Sequence, residues 1–163
     1  LRADLPPGEL QQRLAWGLDR FEGYVGVNNH MGSRFTASEE GMTLVMAQLK
    51  ARGLLFLDSM TAAESVAARQ AARHGVPYAV RDVFLDNEPH DIAAVHRQLA
   101  LLEQTARQRG YAVGIGHPHE ATVAALRQWI PEMRARGLLL VPISAVVRHR
   151  QSLAAQQDAR RAG

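Results

Sequence analysis

Five short apolar runs alternate with longer segments of helical periodicity, and this alternation constrains the fold more than any other feature of the chain. The runs are GYVGVNNH (23–30), LLFLDS (54–59), YAVRDVFLDN (78–87), YAVGIGHPH (111–119) and LLLVPIS (138–144). They open on continuous apolar residues, as strands do when both faces of a sheet are covered. The segments between them are long enough to return the chain across a parallel sheet. Their spacing predicts helices over 6–21, 36–53, 61–75, 88–110, 120–137 and 145–157. Gly53, Gly75 and Gly110 stand where helices commonly stop. Thr36 or Ser38 is placed to cap the second helix, ahead of Glu39 and Glu40. Pro131 is expected to disturb the helix that contains it. The fold class that follows is α/β, with a parallel sheet or barrel. No low-complexity segment marks an internal domain boundary.

A chain of 163 residues that is 47% hydrophobic can bury one real core. No apolar stretch is long enough to span a bilayer, so no transmembrane segment is expected. The opening residues, LRADLPPGEL, carry no basic region followed by an apolar one, so no signal peptide is visible. The chain opens without Met, and we read it as a piece of something longer. The chain has no cysteine, which excludes disulfides and thiolate metal sites. Any metal must therefore rest on imidazoles and carboxylates, and a periplasmic or secreted location fits comfortably. The net charge of +3 is carried almost wholly by scattered arginines. Their one local concentration predicts a basic helical or disordered tail over 149–163. No basic stripe interleaves with aromatics, so no nucleic-acid partner is expected.

Polar residues gather where the predicted strands end: NNH after the first, DS after the second, RDVFLDN through the third, GHPH after the fourth. In parallel α/β folds the site forms at these carboxyl ends. His30 is a candidate metal ligand, with Asn28 and Asn29 able to orient it or contact substrate. Asp58 is a candidate base, histidine orienter or ligand, while Ser59 and Thr61 can equally cap the next helix. Arg81, Asp82 and Asp86 fall in one stretch, as candidates for substrate binding and catalysis. His117 and His119 flank Pro118 and offer acid–base or metal-binding imidazoles. Gly114 and Gly116 would let the backbone approach a ligand closely. A turn at Pro118–His119 is expected to aim His119 away from His117, leaving His117 as the inward residue. His74, His90, His96 and His149 read as ordinary helix histidines.

No GxSxG elbow, P-loop or GxGxxG occurs, which disfavours covalent serine catalysis and dinucleotide binding. His and Asp chemistry without thiols points to a divalent metal that polarises a carbonyl and activates water.

The segments GVNNHMGSRFT, FLDS, RDVFLDN and GIGHPH, in this order, resemble the divergent polysaccharide deacetylase family over residues 1 to about 148. The resemblance implies a domain of the metal-dependent carbohydrate deacetylase superfamily, a distorted (β/α) barrel, followed by the 149–163 tail. It implies removal of acetyl groups from a polysaccharide or cell-envelope glycan, with a divalent metal, zinc by expectation, held by one Asp and two His. In that scheme His30 matches the first histidine of the metal motif and His117 the catalytic histidine. Asp82 or Asp86 falls where an aspartate tunes that histidine. Arg34 stands where the second metal histidine belongs, and no paired aspartates occur. The chain therefore resembles the C-terminal two-thirds of such a domain without its first strands, its metal set completed by His117, His119 or Asp58. An incomplete barrel leaves an edge beside 23–30, to be covered by a dimer partner or an upstream segment. The alternative is a non-catalytic relative, a glycan-binding or envelope-scaffold domain that keeps the fold.

Overall fold

A computed structural model describes residues 4–162, with the side chains of 158 and 162 left out. The chain is mixed α/β with parallel strands, and it divides at Val80/Arg81 into two compact units.

The first unit runs α1 (Pro7–Leu18), β1 (Gly26–Asn28), α2 (Ser33–Thr36), α3 (Glu39–Ala51), β2 (Leu55–Asp58), α4 (Ala67–His74) and β3 (Tyr78–Val80). Its sheet has the order β1-β2-β3, all parallel, with Val27 opposite Phe56 and Phe56 opposite Tyr78. Strand β1 lies at one edge of this sheet. Of the two residues expected to cap α3, Ser38 does so: its hydroxyl accepts the Gly41 N–H at 3.1 Å. Helix α3 packs on α1 and α4. Met42, Met46 and Leu49 recur at helical spacing and lose essentially all solvent contact. Each such burial stabilises the unit by about 1.5–3 kcal/mol relative to an exposed side chain. Helix α4 starts at Ala67, later than the sequence suggests, and ends at Gly75 in the left-handed conformation.

The second unit runs β4 (Val83–Phe84), α5 (Ile92–Arg109), β5 (Gly114–Ile115), α6 (Glu120–Ala135) and α7 (Ile143–Ala162). Strands β4 and β5 pair in parallel, Val83 opposite Gly114 and Phe84 opposite Ile115. Val95, Leu99, Ala125, Trp129 and Met133 bury the facing sides of α5 and α6 over Val83 and Leu85. The Trp129 indole donates to Glu103 at 2.6 Å, which satisfies its one polar atom. Helix α6 continues through Pro131, which costs one ladder hydrogen bond without ending the helix.

Two expectations are corrected. The run 78–87 forms two short strands in two sheets rather than one. The run 138–144 forms no strand: Leu139 and Leu140 are 80% and 65% exposed, and Ile143 already starts α7. A strand needs a partner for its N–H and C=O groups, and none of the described strands pairs with this run. Among the described residues the sheets hold three and two strands, and neither closes on itself. Among the described residues no helix is long and apolar enough to cross a membrane.

Candidate metal centre

Strand register builds the centre in the second unit. Phe84 stands opposite Ile115, so two residues further on Asp86 and His117 leave the carboxyl ends of adjacent strands side by side. Asp86 is buried, and its Oδ2 accepts the backbone N–H of His117 at 2.6 Å. The same oxygen lies 3.1 Å from Nδ1 of His117 and 3.7 Å from Nε2 of His119. The two imidazoles keep 41% and 43% of their side-chain surface exposed, so the buried carboxylate sits beneath two half-open rings. One donor atom from each of Asp86, His117 and His119 lies within 4.8 Å of the other two. Among the described residues the second carboxylate oxygen, Oδ1, is buried without a hydrogen-bond partner, as is Oγ1 of Thr122. A buried orphan carboxylate oxygen is costly. Its presence beside two imidazoles fits a bound cation, and the donor chemistry, two nitrogens and a carboxylate without thiolate, suits zinc.

The expectation for His119 is corrected here. His119 was to turn away from His117; instead the two rings are 5.6 Å apart and both reach Asp86. His119, the N-cap of α6, is itself extended at φ −69°, ψ 152°, and its N–H bonds to the His117 carbonyl at 2.8 Å, which closes a γ-turn on Pro118. The chain thus does turn at Pro118, but the turn brings both rings onto the same carboxylate before the helix begins at Glu120. The glycines serve packing. A Cβ on Gly114 would come within 3.0 Å of Leu102, and one on Gly116 within 3.3 Å of both Leu85 and Thr122. Their bareness seats β5 against its neighbours.

Of the other predicted residues of this unit, Arg81 approaches the centre through Phe84, and Asp82 is engaged elsewhere. The ring of Phe84 meets His117 edge-on at 5.7 Å, and the Arg81 guanidinium lies 4.9 Å over the Phe84 ring. Both Asp82 oxygens are engaged, one by Arg109 and one by the Val113 N–H at 2.8 Å. The Asp82 charge in turn holds the Arg109 guanidinium above its ordinary pKa. His90, read as ordinary from the sequence, brings its ring to 6.3 Å from that of His119.

The first unit holds the remaining candidates. Asn29 Oδ1 accepts the Ser59 N–H at 2.8 Å, Asn28 donates to Ser59 Oγ at 3.1 Å, and Asn29 donates to Thr61 Oγ1 at 3.2 Å. Asp58 is fully buried and accepts from the Met60 N–H at 2.9 Å and the Ser65 hydroxyl at 2.8 Å. Ser59 and Thr61 thus bind the asparagines, while Ser65 accepts the Ala67 N–H that opens α4. Met31 and Met60, just past the ends of β1 and β2, adopt positive φ of 58° and 51°. Such strain persists where surrounding contacts over-determine it, often at functional loops. His30 is exposed and lines a cavity of 350 Å³ with Asn28, Asn29 and Arg13 over Val27 and Phe35.

A parallel α/β fold with Asp, His and His at the ends of adjacent strands defines a class of candidate metal-binding domains. The chain belongs to the divergent polysaccharide deacetylase family, whose pattern matches residues 1–147. It is 37% identical over 130 residues to the uncharacterized protein YibQ of Escherichia coli, covering 80% of this chain and 40% of that protein. It is 43% identical over 103 residues to an uncharacterized protein of Haemophilus influenzae, covering 63% of this chain and 36% of that one. The crystal structure of the uncharacterized protein ATU2773 from Agrobacterium tumefaciens superposes with a TM-score of 0.85 at 34% identity, over 88% of this chain and 58% of the other. The chain thus spans about two-fifths of the length of the curated relatives it matches.

Proposed function

We propose that the protein is a metal-dependent hydrolase that removes acetyl groups from a polysaccharide or cell-envelope glycan. The observation that carries this reading is the convergence of Asp86, His117 and His119, with Asp86 Oδ1 buried and unpartnered. Membership of the deacetylase family supports the carbohydrate substrate class. Asp86, His117 and His119 would hold a divalent ion, zinc by donor type. When bound, such an ion polarises the acetyl carbonyl and lowers the pKa of a coordinated water.

The chain's own residues supply the rest. Asp86 receives the His117 N–H, which fixes the carboxylate and the imidazole relative to each other. With Nδ1 turned to Asp86, the carboxylate orients the His117 ring that would hold the ion. Phe84 walls one edge of that ring and limits its rotation. Arg81 stacks on Phe84, where it is placed to meet a glycan hydroxyl or carboxylate.

The test is acetate release from an acetylated glycan by the zinc-loaded full-length protein. Activity lost on chelation and restored by zinc supports the reading; a zinc-loaded protein inert on N- and O-acetylated glycans supports the non-catalytic glycan-binding alternative. His117→Ala separates two roles for that residue: loss of turnover with zinc retained makes it the proton carrier, and loss of both makes it a ligand. The same reading places the protein in the periplasm or outside the cell, which fractionation of tagged full-length protein checks.

A further inference from the structure

We propose that His90 is a fourth donor of the metal centre, and the exchangeable one. This inference rests on the reading of Asp86, His117 and His119 as donors. The loop that follows Asp86 carries His90 back toward the site. Glu88, Pro89, His90 and Asp91 form a turn closed by the Asp91 N–H on the Glu88 carbonyl at 3.1 Å, with proline in its favoured second place. Asp91 then caps α5 by accepting the Ala93 N–H at 2.8 Å. The backbone of His90 is therefore fixed at both sides, while its side chain is exposed and able to rotate.

Distances decide whether the ring can reach. Two imidazoles on one tetrahedral zinc, with Zn–N of about 2.0–2.1 Å, hold their centroids about 5 Å apart. His117 and His119 stand at 5.6 Å and His119 and His90 at 6.3 Å. Closing the second gap asks for about 1 Å, within the reach of a side-chain rotation at an exposed residue. With that rotation His90 would join the three grouped donors, Asp86, His117 and His119, as a fourth. A hydrolytic centre needs one position for water or substrate. Asp86 is buried, and His117 is tied to it through main chain and ring. His90 is the exposed donor on a loop, and it is the one that yields the position.

The experiment strips the full chain of metal and titrates it with Zn(II) against a chromophoric chelator, then with Co(II) while recording the visible bands. Wild type, His90→Ala, His90→Gln and His96→Ala are compared, with thermal melts as a folding control. His96, on α5, faces Gln128 on α6 and should behave as wild type. The expected result is one ion per wild-type chain, a Kd raised at least about tenfold in both His90 variants, and Co(II) bands that change as solvent replaces an imidazole. Wild-type affinity and an unchanged Co(II) spectrum in His90→Ala would overturn the role of His90 and leave the three-residue centre standing. Failure of the wild-type chain to bind either ion would overturn both.

Discussion

Asp86 grips His117 twice, through the backbone N–H at 2.6 Å and through Nδ1 at 3.1 Å, both on the oxygen Oδ2. The residues are 31 apart in sequence and meet because parallel strands carry Phe84 and Ile115 into register. The grip leaves the other carboxylate oxygen, Oδ1, buried and unsatisfied. Replacing Asp86 by Ala removes the acceptor for a partly buried N–H, at a cost of about 1–3 kcal/mol. Urea denaturation should show that loss, and zinc measured by mass spectrometry should fall well below one ion per chain. Full zinc occupancy in a folded Asp86→Ala protein would contradict the arrangement.

Asp82 should behave differently, although it lies in the same stretch. Both its oxygens are taken, by Arg109 and the Val113 N–H. We expect Asp82→Ala to lower stability by about 1–3 kcal/mol and to leave zinc affinity unchanged. A variant of normal stability with lost metal or activity would return Asp82 to the site.

Glycines provide a test in which the sign changes. A Cβ on Gly26 would fall 2.4 Å from Leu55 Cγ and 2.6 Å from the Leu55 carbonyl oxygen. Gly26→Ala should destabilise by about 1–3 kcal/mol or more, since the backbone of β2 must shift. Gly17 lies in α1 with nothing within 4 Å of its Cβ position. Gly17→Ala should stabilise by about 0.5–1 kcal/mol, through helix propensity and a smaller unfolded-state entropy. Urea midpoints measure both, and equal shifts of the same sign would show that the packing at Gly26 is misjudged.

Acid should weaken the start of α5. The Ala94 N–H, first, and the Ala93 N–H hold the Asp91 carboxylate below its ordinary pKa. A depressed folded-state pKa contributes stability that is present above the unfolded value of 3.8 and lost as pH falls through the folded value. The difference in melting temperature between wild type and Asp91→Asn should therefore shrink as pH drops below that range. A gap constant from neutral to strongly acid pH would show that the charge contributes nothing to the cap.

Much of this was legible in the sequence, for local reasons. The helices announced themselves through Gly75 and Gly110 and the Ser38 cap, and polar strand ends pointed to Asp86 and His117 before any register was known. The paired use of His117 and His119 was not legible, because it depends on the kind of turn at Pro118: a γ-turn, which keeps both rings on Asp86. His90 was hidden in a segment of helical composition whose first residues form a turn. The run 138–144 misled because apolar composition marks burial or pairing without naming the partner, and its residues lie exposed. The break at Val80/Arg81 falls inside one apolar run, where no glycine or proline signals it.

The central claim is that Asp86, His117 and His119 hold a divalent cation. Anomalous diffraction at the zinc edge, from crystals of the protein grown with zinc, tests it most directly. The account predicts a single strong peak about 2.0–2.2 Å from one Asp86 oxygen and from one nitrogen of each imidazole. An occupied zinc site elsewhere, with these three side chains empty and Asp86 Oδ1 bonded to water alone, would contradict it.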